Sequence, residues 1–473
     1  MKYEAYEYQK AAERWIIKHP RCALFLDMGL GKTVITLTAM QRLIDYCEVS
    51  KVLVIAPKKV AEATWSTEAD KWDHLSGLRV AKVLGTERQR ISALNEPADI
   101  YVVGRDSFVW LMGYYNGRLP FDVIVIDELT SFKSPTSKRF KAMRIATAGV
   151  SRVIGLTGTP APNGYIDLWA QMYCIDQGLR LGKSVTRYRD TYFDIQRWNN
   201  IVVKCKLKKA CEAVIRERIS DICLSMQAKD YLQLPELIIH TERVQLSSEV
   251  KKKYEEFERE KVLEFRGVHP GEEPANVLAT SAAALVNKLS QFANGAIYDG
   301  DLNVHELHDE KIARLEELVE AANGSVLVFY QYKHDAARIA ERLSVGREVR
   351  VYHDEKDLEA WNQGKIDVLL AHPASTAYGL NMQGGGHYIV WFGTGWNLEH
   401  FQQGNARLYR QGQTRPVIVY KLICASTIDE ESSVCIEGKA STQQSLLDSL
   451  NYLLEKYKDE EEKVESDDEQ SHP

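Results

Sequence analysis

The stretch Cys22-Ala23-Leu24-Phe25-Leu26-Asp27-Met28-Gly29-Leu30-Gly31-Lys32-Thr33 decides how this chain is read. An apolar run, Cys22 to Leu26, passes into a glycine-bearing turn that closes on Gly31-Lys32-Thr33. A helix-competent segment, Val34 to Leu43, follows. The order is strand, phosphate loop, helix. The backbone N–H groups of such a loop and the N-terminus of its helix together attract an anion. Lys32 has the reach for terminal phosphates, and Thr33 can offer its hydroxyl to Mg²⁺. The strict phosphate-loop pattern has a glycine where Leu26 stands, so the match is incomplete. An ordinary strand-to-helix turn with a surface lysine is the alternative.

Further apolar runs frame this stretch. Lys51 to Ala56 is one, ended by Pro57-Lys58-Lys59, and Ile100 to Val103 is another. Phe121 to Ile126 runs straight into Asp127-Glu128, and Arg152 to Leu156 into Thr157-Gly158-Thr159-Pro160. Buried strands separated by helical stretches predict a parallel sheet with helices on both faces. Ligands of such sheets bind at the carboxyl ends of the strands, where Thr33, Lys58, Asp127 and Thr157 all fall. A second α/β unit is expected from about residue 308, with strands at Ser325 to Tyr330, Glu348 to Tyr352, Ile366 to Ala371, His387 to Phe392 and Val417 to Lys421. It has no phosphate loop. Between 165 and 300 helical patterns dominate. Lys183 to Arg218 is rich in bases with Trp198 and tyrosines interleaved, which fits either a solvated helical face or a surface tracking a nucleic-acid backbone.

The bulk properties narrow the class. The chain has 473 residues, enough for two or three domains. Its 45% hydrophobic and 27% charged content is ordinary for a globular protein. No apolar run is long enough to span a bilayer, and Met1 to Glu7 lacks an apolar signal region, so no membrane association and a cytoplasmic location, in a bacterial cell or a virus-infected host, are expected. The 8 cysteines have no C-x-x-C pair, so zinc and redox motifs are unsupported. The net charge of −6 is misleading. Asp459 to Glu469 holds eight acids and one lysine, and the rest of the chain is close to neutral. That acidic tail is expected to be solvated, or to serve as a tether for a protein partner.

Two further groups carry chemistry. An aspartate at the end of a buried strand in the same sheet as Gly-Lys-Thr can hold Mg²⁺ opposite Thr33. A neighbouring glutamate can orient or deprotonate water. Asp127 and Glu128 fit those roles. Gln402 to Gln413 carries Arg407 and Arg410, three apart and so on one face if helical. Two arginines supplied by a second domain suit the charge developing on a γ-phosphate; a surface pair is the alternative. Gln9, just ahead of the phosphate loop, can read an adenine edge or be a plain helix glutamine.

Assembled in this order, the motifs resemble those of superfamily-two helicases, and within them the SWI/SNF-like DNA translocases, over about residues 5–440. Tyr8-Gln9 resembles the adenine-reading Q motif. Asp27-Met28-Gly29-Leu30-Gly31-Lys32-Thr33 resembles the family's phosphate loop. Ala56-Pro57-Lys58-Lys59 with Trp65 resembles the segment that touches the DNA backbone. Asp127-Glu128-Leu129-Thr130 occupies the DEAH-box place, and Leu156 to Pro160 that of motif III. Leu234-Pro235 after Lys229 resembles the link between lobes, Val328 to Gln331 motif IV, and Gly379-Leu380-Asn381-Met382 motif V. Trp396-Asn397, Gln403, Arg407, Arg410 and Gln413 resemble the run into motif VI.

The resemblance implies an α/β fold of two RecA-like parallel-sheet lobes with a helical insertion: lobe one over 1–165, a protrusion and linker over 166–300, lobe two over 301–440, and a helix and acidic tail over 441–473. Thr427 to Leu447 would brace the lobes. ATP and Mg²⁺ are the implied cofactors. Gln9, Met28, Gly29, Leu30, Gly31, Lys32, Thr33, Gly379 and Gln403 would bind nucleotide, with Thr33 and Asp127 on the metal. Lys32, Asp127, Glu128, Arg407 and Arg410 would be catalytic, and Lys58, Lys59, Thr157, Gln331 and Trp396 would meet DNA. Three departures stand out. Leu129-Thr130 replaces Ala-His of the DEAH box, which removes coupling through that histidine. Gly393 stands where an aspartate is usual, and Tyr409 and Gln411 replace His and Ile. The implied activity is an ATP-driven motor on double-stranded DNA, of a minimal bacterial or phage type. A strand-separating helicase and a nucleotide-gated DNA-binding switch are the alternatives.

Overall fold

The computed structural model describes residues 1–158, 164–198, 201–231, 234–268, 275–376 and 380–437. It forms two compact units. The first comprises Met1–Gln196 and Lys204–Gln233; the second takes in Arg197–Val203 and the chain from Leu234 onward.

In the first unit, β1 (Arg21–Leu26), β2 (Val52–Ala56), β3 (Val80–Val83), β4 (Ile100–Gly104), β5 (Val123–Asp127) and β6 (Arg152–Thr157) form a parallel sheet. β2 is buried at every residue and β1 at all but its first. Such unbroken apolar runs are what a parallel sheet covered on both faces demands. The helices α1 (Glu7–Lys18), α2 (Lys32–Asp45) and α3 (Trp65–Lys71) precede or follow these strands. Arg21 binds two further helices, Lys138–Ala148 and Leu168–Asp176, to the foot of β1. Its guanidinium donates to the carbonyls of Ile175 at 2.8 Å, Thr147 at 2.7 Å and Val150 at 2.9 Å.

The helical expectation for 165–300 fails in part. β7 (Phe193–Trp198) and β8 (Ile201–Leu207) form a two-stranded ribbon. β9 (Cys223–Met226) then returns to the first sheet and pairs with β1, giving the order β3-β4-β2-β5-β6-β1-β9. β10 (Leu237–Val244) joins the second sheet. Both β9 and β10 are edge strands. Each leaves residues half-buried or exposed, so neither carries the apolar run that marks a central strand.

The second unit therefore starts earlier than residue 308. After two long helices, Ser248–Val268 and Ala275–Ala293, come the short antiparallel pair β11 (Ala296–Tyr298) and β12 (Val304–Glu306). β13 (Val326–Phe329), β14 (Val349–Val351), β15 (Val368–Ala371), β16 (Tyr388–Trp391) and β17 (Val417–Cys424) complete a parallel sheet of order β10-β17-β16-β13-β15-β14. These are the five strands expected there. The final helix is Ile428–Ile436; the rest of the expected brace and the acidic tail lie outside the described residues. Among the described residues no helix is long and apolar enough to cross a membrane.

A buried polar network organises the second unit. Lys311 donates to Asp429 and, at 2.8 Å, to the side-chain oxygen of Asn294. The Asn294 amide donates to Asp335 at 3.0 Å, and Asp335 also accepts the backbone N–H groups of Gln331 and Tyr332. The network thus ties the helix before β11 to the loop after β13. Removing one partner strands a buried charge, whereas replacing both can be close to neutral. Asp429→Ala should lower unfolding free energy by about 3–5 kcal/mol, and Lys311→Met with Asp429→Leu by clearly less. Urea denaturation of the two variants checks this; equal losses would contradict it.

Candidate active site

The phosphate loop hangs between β1 and α2. Gly29 and Gly31 have φ of 87° and 80°, a region where an L side chain is strained. Gly31 is also the N-cap of α2, and a Cβ there would stand 2.8 Å from the Gln9 amide nitrogen. The failed glycine position is explained by β9. Leu26 is the last residue of β1, fully buried and paired with Met226, and the next amide, Asp27 N–H, donates to the Met226 carbonyl at 3.2 Å. The strand extends through the place where the strict pattern begins its turn. Lys32 is drawn into the loop, its ammonium donating to the Leu26 carbonyl at 2.7 Å.

Gln9 lies beside this loop. Its amide oxygen accepts from the Tyr6 backbone at 3.0 Å and from the Tyr3 hydroxyl at 3.3 Å, and its amide nitrogen points to the Leu30 carbonyl at 3.5 Å. It therefore caps α1 as well as flanking the loop. Gly158 closes the opposite side. A Cβ on it would lie 3.4 Å from Lys32 Nζ and 3.4 Å from Met28 Cγ.

Asp127 and Glu128 stand at the end of β5, next to β6. Asp127 is half-buried, and desolvation pushes its carboxyl up to about 6 against the pull of an indole donor and the Lys32 charge. That donor is Trp65, fully buried, with Nε1 at 2.9 Å from Asp127 Oδ2. Glu128 has φ 60°, a left-handed conformation that costs an L residue roughly 1–2 kcal/mol. Its Oε1 accepts the hydroxyls of Thr130 at 2.8 Å and Thr157 at 3.0 Å. Two hydroxyls therefore hold Glu128, one at the place of the family's histidine and one at the end of β6. Thr157, expected against DNA, is fully buried and faces Glu128. Lys58 is largely exposed, 3.8 Å from Glu62, and Lys59 half-buried, just past β2. Thr159 and Pro160 lie outside the described residues.

The second unit carries the arginines. The helix Leu398–Asn405, capped by the Asn397 side chain, stops before them. Arg407 and Arg410 therefore sit in successive turns and not on one helix face. They still converge. Arg407 Nη1 donates to the Leu380 carbonyl at 3.2 Å and Arg410 Nη1 to the same carbonyl at 3.0 Å, while Arg407 Nε reaches the Gln403 carbonyl at 2.9 Å. Gly379, next to that carbonyl, lies outside the described residues. Gln403 is buried and its amide donates to Glu399 at 3.1 Å. Gln413, at the end of the run into motif VI, donates to the Gly386 carbonyl at 3.0 Å and accepts the N–H groups of Thr414 and Arg415. Gln331 is half-buried after β13, and Trp396 is half-buried beside the hydrophobic cluster of Tyr254 and Phe292. Gly393 has a local reason: a Cβ there would stand 3.1 Å from Gln331 Oε1 and 3.0 Å from Asn294 Nδ2.

Comparison with known proteins gives a family match and several similar chains. The family profile described as the SNF2-related domain matches residues 8–294. A protein called putative protein p41, from Acyrthosiphon pisum secondary endosymbiont phage 1, is 36% identical over 94% of this chain and 98% of its own length. The putative ATP-dependent helicase/translocase YwqA of Bacillus subtilis is 24% identical over 95% of this chain, which spans only 49% of that protein. Among solved structures, the Sulfolobus solfataricus SWI2/SNF2 ATPase core in complex with dsDNA is 24% identical, with a TM-score of 0.45 over 95% of this chain and 94% of that one.

The first unit fits Mg²⁺ with nucleotide. A half-buried carboxylate that takes an indole N–H and a backbone N–H and feels the Lys32 charge gains from a divalent ion, and the loop amides suit phosphate. If Asp127 takes Mg²⁺, a proton and the metal compete for it, and its raised position sets where. Mg²⁺-dependent nucleotide binding should be flat above about pH 7 and weaken as pH falls through 6, by up to about tenfold per unit. Titration calorimetry from pH 5 to 8 measures this. Affinity that does not change with pH would contradict the role given to Asp127.

Proposed function

The chain belongs to the family of the SNF2-related domain and carries its helicase-like core, and from that premise we propose that it is an ATP-driven motor that tracks along double-stranded DNA. The observation that carries the reading is the meeting, at one end of the first sheet, of Lys32, Asp127 and Glu128. The Bacillus relative's name, helicase/translocase, supports the class of motor. So does the near-neutral charge outside the acidic tail, with bases concentrated in Lys183 to Arg218.

In this reading Lys32 and the amides of Gly29 to Thr33 bind the phosphates, and Thr33 and Asp127 hold Mg²⁺. The metal, when bound, neutralises charge on the β- and γ-phosphates. Trp65 fixes the rotamer of Asp127 through its indole. Glu128 orients the attacking water. One of its oxygens takes two hydroxyls, and a carboxylate has about four acceptor sites, so water can be engaged with Thr130 and Thr157 still in place. Arg407 and Arg410 stabilise charge on the transferring phosphoryl group, leaving the Leu380 carbonyl to do so. Lys58, Lys59, Gln331 and Trp396 contact DNA.

Turnover of ATP should rise sharply with duplex DNA. Lys32→Ala should abolish it, and Arg410→Ala should lower the DNA-stimulated rate by about a thousandfold, with folding intact by circular dichroism. A phosphate-release assay decides. Wild-type turnover indifferent to every nucleic acid would overturn the proposal.

A further inference from the structure

Lys58 and Lys59 are separated from α3 by a single π-helical turn, Val60–Thr64. Such turns are rare, and they concentrate at functional sites. An extra residue in a turn rotates everything after it by about 100°, since an α-helix has 3.6 residues per turn. Here the first residue after the turn is Trp65. It is fully buried, and its indole N–H lands 2.9 Å from Asp127 Oδ2. A buried indole needs an acceptor, which a backbone carbonyl would ordinarily supply. This one instead holds a carboxylate of the nucleotide half-site. At the other end of the same turn, Lys58 is exposed and pairs only loosely with Glu62, itself a residue of the turn. One turn of backbone thus joins a solvent-facing lysine segment to the side chain that orients Asp127.

We propose that Trp65 is a positioning residue which transmits occupancy of the Lys58–Lys59 segment by a nucleic-acid phosphate backbone to the Asp127 carboxylate, through the π-turn. The inference rests on the function proposed above. The ligand class is the sugar–phosphate backbone. A phosphate engaging the lysines shifts the turn, the indole moves with it, and Asp127 is set for the metal. Packing alone does not account for the contact, because an apolar ring can be buried without the N–H that meets the carboxylate.

Trp65→Phe is the test, read in three ways. Affinity for a fluorescent duplex, by anisotropy, should stay within twofold of wild type. The ratio of ATP turnover with duplex to turnover without it should fall at least fivefold. The Mg²⁺ concentration needed for half-maximal binding of a fluorescent ATP analogue should rise about threefold. Lys58→Ala with Lys59→Ala should lose both DNA affinity and stimulation, and adding Trp65→Phe should remove little further stimulation. If Trp65→Phe fails to fold, duplex DNA should still lower the Mg²⁺ requirement of wild type and not that of the lysine variant. Stimulation and Mg²⁺ requirement unchanged in Trp65→Phe, losses that multiply with those of the lysine variant, or a wild-type Mg²⁺ requirement that ignores DNA would each overturn the coupling. Wild-type turnover insensitive to DNA would instead overturn the motor function, while the Mg²⁺ requirement of Trp65→Phe would still test the hold of Trp65 on Asp127.

Discussion

Strands that run parallel must end at one edge, and this constraint places every functional group of the first unit. β1 pairs with β6 so that Phe25 faces Thr157, and β5 pairs with β6 so that Asp127 faces Leu156. The phosphate loop, the acidic pair and the threonine of β6 therefore share one end of the sheet, although more than ninety residues separate the first from the rest. The same register carries the chemistry of hydrogen bonding. Thr157 can reach Glu128 only because β5 and β6 finish together.

Around that edge the side chains satisfy each other. Lys32 rests on a carbonyl of its own loop, Glu128 on two hydroxyls, Asp127 on an indole, and in the second unit both arginines rest on Leu380. Each of these groups is held by a hydrogen bond that a ligand can replace. The left-handed backbone of Glu128 is consistent with this: strain of that kind persists where surrounding contacts over-determine it.

Much of the fold was legible in the chain because central parallel strands are apolar on both faces. The runs ending at Ala56, Ile126 and Leu156, and those of β13, β15, β16 and β17, announce themselves by composition. β9 and β10 do not, since an edge strand has one flank and needs no such run; Leu237–Val244 contains His240, Thr241, Glu242 and Arg243. The acidic pair and Gly-Lys-Thr were legible as motifs. The contacts that link them were not. Trp65 to Asp127 spans sixty-two positions and Thr157 to Glu128 twenty-nine, and neither spacing means anything until the sheet registers. Arg407 and Arg410 were read as one helix face. They converge through turns, because the helix ends at Asn405. Leu26 looked like a defect in the phosphate loop until β9 showed that a strand needs the position.

The central claim is motion along intact duplex powered by the site at that edge. Displacement of a third strand from a triplex on blunt duplex DNA measures it directly. The account predicts release of the third strand that requires ATP and Mg²⁺, with the two duplex strands left paired. Separation of a forked duplex without triplex release, or no release at all while ATP is consumed, would contradict it.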